Sequence, residues 1–338
     1  MRKGYNPYKD SELEQTAFSH QVVVPVYIPH LQSYFKDALK ILELSLQSLL
    51  STTHSNTFLT VVNNGSCKEV VDFLDSLLKA NKIHEVIHTT NIGKMNAAFK
   101  GAIGHNIPLV TITDADVLFL SGWQQETLHV FNSYPKAGVV GLIPQFMSYQ
   151  YNCENLLFDN FFNNQIRFAK IKNPEALVKF YKSVGWDDNY PKQRLEYTLC
   201  LHQEKNFKAC LGSGHVVSTF KRRILNNAQI NSKFKMGGDS EASLDALPSK
   251  LGYASLTTYD NFAYHMGNIW EPWMEEEFEV SQYDNKELKL QPFSAPRKPF
   301  KWEWKIKRKL ISYIFKRFKL RMLFLSLKGL PGNISENF

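Results

Sequence analysis

The sequence predicts an α/β protein. It has a Rossmann-like, mainly parallel sheet with helices on both faces, an irregular insertion after it, and a C-terminal basic amphipathic helix. Two observations carry the core of this prediction. Short β-branched runs alternate with segments of helical periodicity through the first third of the chain, the pattern of a sheet built from β-α units. A pair of aspartates, Asp114 and Asp116, follows directly on the fourth such run. A third observation, a concentration of cations near the C-terminus, sets the tail apart.

The elements follow in order. Residues 22–27 (VVVPVY) read as a buried strand. Leu39, Leu42, Leu46, Leu49 and Leu50 lie at helical spacing. Residues 57–62 (TFLTVV) form a second strand, closed by the turn signal Asn63-Asn64-Gly65-Ser66. An amphipathic helix over 70–78, a short strand over 86–90 and a helix over 94–103 precede the fourth strand, 109–113 (LVTIT). After Gln145 periodicity weakens, and 146–208 reads as an insertion over the carboxyl edge of the sheet. Order returns near 210–220 and 237–265, and Pro292, Pro296 and Pro299 mark a linker.

Totals narrow the classes. The chain has 338 residues, enough for one large α/β domain with an appendage. Cys67, Cys153, Cys200 and Cys210 show no C-x-x-C spacing and read as reduced thiols. Residues 1–21 lack the apolar core of a signal peptide, and no apolar run approaches the roughly 18 residues of a spanning helix. From Arg297 to Lys328 twelve cations face one anion, Glu303, a local +11 that leaves −3 on the rest of a chain whose total is +8. A nucleic-acid binder spreads its cations over one face of its body, so this distribution argues against one.

Ligands of open α/β sheets bind beyond the carboxyl ends of the strands, where Asp114 and Asp116 fall. Residues i and i+2 of an extended segment point the same way, so both carboxylates can converge. Held close, two like charges call for a cation. A hard divalent ion, Mn²⁺ or Mg²⁺, that also grips a diphosphate meets that need. Alone, the motif also fits a solvated turn after a strand.

Four stretches in order carry a resemblance: Val24-Pro25-Val26-Tyr27; Val61-Val62-Asn63-Asn64-Gly65-Ser66; Asn91-Ile92-Gly93-Lys94 continued through Ala97, Ala98 and Gly101; and Thr113-Asp114-Ala115-Asp116 followed by Ser121-Gly122-Trp123. Together they resemble the inverting glycosyltransferases of family 2, which have the GT-A fold. The resemblance implies nucleoside contacts at Pro25, Tyr27, Asn63 and Asn64, with Lys94 near ribose and phosphates. Asp114, with Ala115 beside it, would meet ribose or donor sugar, and Asp116 would bind the metal directly. Asn63 departs from the family's common Asp; its amide can still accept a hydrogen bond, without charge assistance. Asn63 and Asn64 equally suit a turn that needs left-handed residues.

The family's general base sits on an acidic pair ahead of a helix ending in Gly. Gly237-Gly238-Asp239-Ser240-Glu241 occupies that place, with Asp239 the first choice and Glu241 the second. The same residues suit a helix N-cap at Asp239 with Glu241 in the first turn. His265 resembles the late histidine that completes the metal shell in many GT-A enzymes, and imidazole suits Mn²⁺ better than Mg²⁺. A satisfied surface or core histidine is the alternative. Trp123, Trp186, Trp270 and Trp273 could stack on sugars or pack in the core.

The tail carries Ile306, Leu310, Ile314, Phe318 and Met322 at every fourth residue, with Tyr313 and Leu325 beside them and Trp302 and Trp304 at its start. It reads as an anchor for an anionic membrane surface through residues 300–328, or as a helix docked on the catalytic body. The expected organisation is an extension (1–20), a nucleotide-sugar-binding half (21–145), an acceptor and base half (146–289), and a linker with the basic tail (290–338). The expected protein moves a sugar from a nucleotide-sugar, a UDP-sugar foremost, to a glycan or lipid-linked acceptor in cell-surface polysaccharide synthesis. Its expected place is cytoplasmic, peripheral on the inner membrane face. Two alternatives stand: a nucleotidyltransferase, which normally opens on a Gly-rich loop absent from 22–31, and a non-catalytic binding relative, which should have lost its carboxylates.

Overall fold

The computed structural model describes residues 4–12, 16–186, 189–203, 207–229, 231–237, 240–280, 291, 293, 295–335 and 338. Among these, twelve strands form two sheets: β1 (His20–Val26), β2 (Thr57–Asn64), β3 (Glu85–Thr89), β4 (Leu109–Thr113), β5 (Val117–Phe119), β6 (Ala137–Gly141), β7 (Ile166–Lys170), β8 (Tyr197–His202), β9 (Lys208–Leu211), β10 (Val217–Lys221), β11 (Ala254–Thr258) and β12 (Ala263–His265). The large sheet runs β3-β2-β1-β4-β10-β6-β11-β9-β8-β7, and β12 pairs with β5.

The first half is the expected β-α alternation. The strands β3, β2, β1 and β4 are parallel neighbours. Side chains alternate across β1. Val22, Val24 and Val26 meet Leu42, Leu46 and Leu49 of helix Ala38–Thr52 and Val70 and Leu74 of helix Lys68–Lys79. Val23 points to the opposite face, with Met95 and Ala98 of helix Lys94–Ala102. One strand of period 2 thus feeds two helical layers, which explains why its valines are fully buried.

The expectation of a mainly parallel sheet needs correction: the sheet is mixed. The strand β10 lies antiparallel between β4 and β6, and β11, β9, β8 and β7 pair antiparallel in succession. Parallel neighbours need a long crossover, usually helical, whereas antiparallel neighbours can be joined by a short link. Only residues 203–207 separate β8 from β9. The stretch read as an irregular insertion therefore contributes strands to the main sheet as well as loops.

The tail is two helices, Lys301–Lys316 and Phe318–Leu327, parting at Arg317. One side is docked. Trp304, Ile311, Phe324 and Leu325 are buried, the last three in one cluster with Tyr149, Leu156, Leu157 and Phe168. Trp304 donates its indole N–H to Ser249 Oγ at 3.0 Å, and Lys328 Nζ donates to the carbonyls of Asn160 and Asn163 at 2.7 and 2.9 Å. Most of the stripe picked out by sequence is on the other side: Ile306, Leu310 and Phe318 are 50%, 45% and 59% exposed. A four-residue step overshoots the 3.6-residue turn, so such a stripe drifts around the helix and does not mark the docked face. Among the described residues, no helix is long and apolar enough to cross a membrane.

Candidate active site

The site forms where β4 ends. The backbone N–H of Asp114 donates to Val216 O at 2.8 Å, which ties the turn to the start of β10. Residues 114–116 turn sharply into β5, whose pairing sets His265 opposite Val117. Met266 N–H donates to Asp116 O at 2.8 Å. Asp114, Asp116 and His265 each offer a ligand atom, all within 4.8 Å of one another. The two aspartates converge as expected, through a turn and not an extended segment.

His265 is held from behind. Ser183 Oγ donates to Phe180 O at 2.7 Å and lies 2.7 Å from His265 Nδ1. With its own proton committed, the hydroxyl accepts from Nδ1–H, which assigns the tautomer and leaves the Nε2 lone pair facing Asp116 Oδ2 at 3.3 Å. Two acceptors that close repel unless a proton or cation lies between them. Burial raises the Asp116 pKa, and neighbouring Asp114 raises it further, against the opposing effect of His265. The Asp116 side chain keeps a 30% opening to solvent, so it remains reachable. A hard cation held by two carboxylates and an imidazole fits this donor set.

Lys94 closes the other side. Gly93 caps its helix at φ +92, and a Cβ there would stand 2.6 Å from Phe234 O. Lys94 N–H donates to Lys235 O at 2.8 Å, while the Asn96 amide exchanges hydrogen bonds with Ser232 backbone at 2.8 and 2.9 Å. The chain leading to Glu241 is thereby fastened over the helix N-terminus. Lys94 Nζ bridges Asp114 Oδ1 at 2.7 Å and Glu241 Oε1 at 3.0 Å. Burial alone would lower the Lys94 pKa, but the two carboxylates outweigh it and hold the ammonium above its ordinary value.

Glu241 Oε2 lies 3.3 Å from His215 Nε2, and His215 Nδ1 lies 3.8 Å from Asp245 Oδ2. The nearby Asp245 carboxylate raises the His215 pKa against the lowering effect of burial, and the Glu241 charge adds to the rise. The helix here is Ala242–Asp245, and Glu241 at its N-cap makes no side-chain cap. Its carboxylate is turned instead toward Lys94 and the donor motif. Asp239, the first choice for the base, lies outside the described residues, as does Gly238.

On the nucleoside side, Pro25 sits in β1 beside Val62, and Tyr27 follows β1, 40% exposed with its ring edge-on to Phe35. Both asparagines are buried and engaged with protein. Asn63 Oδ1 accepts from Ser66 N–H at 2.9 Å, and its amide nitrogen lies 2.9 Å from His88 Nδ1, with His88 Nε2 held by Asp75 at 3.0 Å. Asn64 Oδ1 accepts from Ile92 N–H at 2.9 Å. These contacts hold the turn and the 91–93 loop, but the left-handed alternative needs correction: both asparagines end β2, and Gly65, at φ +90, takes the left-handed position. Ala115 lies between the metal-facing aspartates, packed against the core.

Sequence reasoning missed Ser183, His215 and Asp245. None lies in a recognisable motif: Ser183 ends a helix, and His215 precedes a strand. Among the four tryptophans singled out, Trp123 is fully buried. Trp270 lies under the Lys40 ammonium at 3.4 Å, and Trp273 under that of Lys179 at 4.6 Å.

Comparison with known proteins agrees with this geometry. Residues 22–184 match the sequence profile described as glycosyl transferase family 2. No curated protein matches the chain. Among solved structures, residues 1–349 of TarS from S. aureus align at 12% identity and a TM-score of 0.42, covering 73% of this chain and 60% of that one. Mannosyltransferase PcManGT from Pyrobaculum calidifontis, in complex with GDP-Man and Mn²⁺, aligns at 13% identity and a TM-score of 0.46, covering 92% and 72%. GalNAc-T7 with UDP, GalNAc and Mn²⁺ aligns at 10% and 0.47, covering 75% of this chain and 44% of that one. The chain thus spans well under two thirds of TarS 1–349 and of GalNAc-T7. Residues 22–184 thus match glycosyl transferase family 2, and the α/β sheet and the aspartate pair at the end of β4 accord with that match.

Proposed function

We propose that the protein is an inverting, metal-dependent glycosyltransferase that moves a sugar from a nucleotide-sugar to a glycan or lipid-linked acceptor in cell-surface polysaccharide synthesis. The observation that carries this is the convergence of Asp114, Asp116 and His265 within 4.8 Å beside Lys94. Asp116 and His265 would hold Mn²⁺ or Mg²⁺, which when bound neutralises the donor diphosphate. Pro25, Tyr27, Asn63 and Asn64 would border the nucleoside, with Ala115 at the sugar side.

Lys94 stands between Asp114 and Glu241, so a diphosphate arriving beside it competes for the same cation and frees the Glu241 carboxylate. The acceptor oxygen then attacks the anomeric carbon and the bond from that carbon to phosphate oxygen breaks. The nucleoside diphosphate leaves, and the hydroxyl proton passes to the base. Glu241, whose carboxylate reaches Lys94 beside Asp114, is taken as the base, with Asp239, the first choice from sequence, as the alternative. A hydrolysis screen of UDP-, GDP- and dTDP-sugars with Mn²⁺, Mg²⁺ or chelator tests the reading. Metal-dependent release of one nucleotide is expected; equal release with chelator would remove the metal, and no release from any donor would remove the activity.

The same reading includes peripheral attachment to an anionic membrane on the cytoplasmic face. The docked side of the tail leaves Trp302, Ile306, Leu310, Tyr313, Leu323 and Leu327 at least 45% exposed among many cations. Each Lys or Arg near such a surface contributes about 1 kcal/mol, and apolar side chains insert beside them. Deleting the tail would strip Trp304, Phe324 and Leu325 from the core, so the informative change is on the exposed side. Ile306→Ser with Leu310→Ser and Leu323→Ser should abolish flotation with phosphatidylglycerol vesicles and leave thermal stability intact. Equal flotation of both proteins would remove the apolar insertion, and no flotation of the wild type would remove the membrane.

A further inference from the structure

We propose that Trp186 is a stacking platform for a pyranose ring of the acceptor, an inference that rests on the glycosyltransferase reading above. Helix Pro174–Ser183 ends in a glycine-capped turn. Gly185 adopts φ +76, its N–H donates to Lys182 O at 3.0 Å, and Trp186 N–H donates to Tyr181 O at 2.9 Å. This is the paired hydrogen bonding of a Schellman cap, and it usually brings the residue after the glycine against the helix. Here Trp186 stacks on Tyr181 at 5.3 Å and 28°, and Tyr181 stacks in turn on Phe146 at 4.0 Å and 23°.

A cap contact alone accounts for one face of the indole. Tyr181 and Phe146 are buried, but Trp186 remains 49% exposed. Among the described residues the ring is packed from one side while half of the residue stays open to solvent, so a ligand that covers it incurs little cost in side-chain ordering. Trp123 is fully buried, and the Lys40 and Lys179 ammonium groups lie over Trp270 and Trp273.

Trp186 stands at the same helix end as a residue of the site. Ser183, three residues before Trp186, holds His265, and His265 faces Asp116. The backbone of Ser183 also abuts Gly267, where a Cβ would lie 3.3 Å from Ser183 O. The helix end that supports the metal-facing histidine thus also presents the indole. A sugar is the ligand class that matches: its axial C–H surface packs on an aromatic face while its hydroxyls stay free for polar groups nearby.

The test uses the full chain labelled with 5-fluorotryptophan, in which the resonance missing from Trp186→Phe is that of Trp186. Methyl β-glycosides of glucose, galactose and N-acetylglucosamine are titrated, with sorbitol as a control lacking a ring. One pyranoside should move the Trp186 resonance saturably, and sorbitol should not. With that pyranoside as acceptor, Trp186→Ala should raise KM about tenfold, and Trp186→Tyr should restore most of it. Affinity for UDP with Mn²⁺ should match the wild type in both variants. A Trp186 resonance that no pyranoside moves, or an unchanged acceptor KM in Trp186→Ala, overturns the platform. Intact UDP binding in the same samples leaves the donor site standing when the platform fails. Loss of UDP binding in the wild type would instead overturn the donor reading.

Discussion

Asp116→Ala is expected to abolish sugar transfer and to weaken Mn²⁺-dependent binding of UDP by at least about 100-fold, with the fold retained. The magnitude follows from the geometry. Outer-shell partners of metal ligands are worth about 10–100-fold in metal affinity, and a direct ligand is worth at least as much. Ser183, behind His265, provides the graded comparison: Ser183→Ala should fall within that range and keep measurable turnover. The fold should survive because Asp116 raises its own proton affinity through burial and the neighbouring Asp114, so its carboxylate is a local cost in the metal-free protein. Isothermal titration of UDP with and without Mn²⁺ measures the effect. Unchanged affinity in Asp116→Ala would defeat the assignment.

Glu241→Gln is expected to lower the transfer rate by about 10²-fold or more while leaving UDP binding intact, the scale of lost general base catalysis. The substitution keeps the shape of the side chain and removes the proton acceptor. It also weakens the ion pair to Lys94 at 3.0 Å, so Lys94→Met with Glu241→Gln separates that effect from proton transfer. Asp239→Asn, measured alongside, should remain active. The opposite result, an active Glu241→Gln and a crippled Asp239→Asn, would move the base two residues toward the N-terminus.

The first half of the fold was legible because its signals are local. Alternation in residues 22–27 and leucines at helical spacing specify elements without knowledge of their partners, and β1 and helix Ala38–Thr52 lie where they were expected. The mixed sheet was not legible. Which strand enters between β4 and β6 depends on pairings across the whole chain, and β10 is only five residues long. The site divides in the same way. Asp114 and Asp116 stand in one motif, and His265 ends β12. Ser183 and His215 join them only through tertiary contact, from positions no local pattern marks. For the tail, periodicity found an amphipathic helix and left its stripe between a membrane surface and the catalytic body; the docked side, with Trp304, Ile311, Phe324 and Leu325, was not marked because both sides carry apolar residues.

The most direct measurement is anomalous scattering at the manganese edge from crystals grown with UDP and Mn²⁺. One strong peak is expected between Asp116 and His265 Nε2, at about 2.0–2.2 Å from a carboxylate oxygen and from the ring nitrogen. Density for the diphosphate should lie against it, on the side of Lys94. A peak elsewhere with the Asp114–Asp116–His265 cluster bare, or UDP bound with no peak, would contradict it.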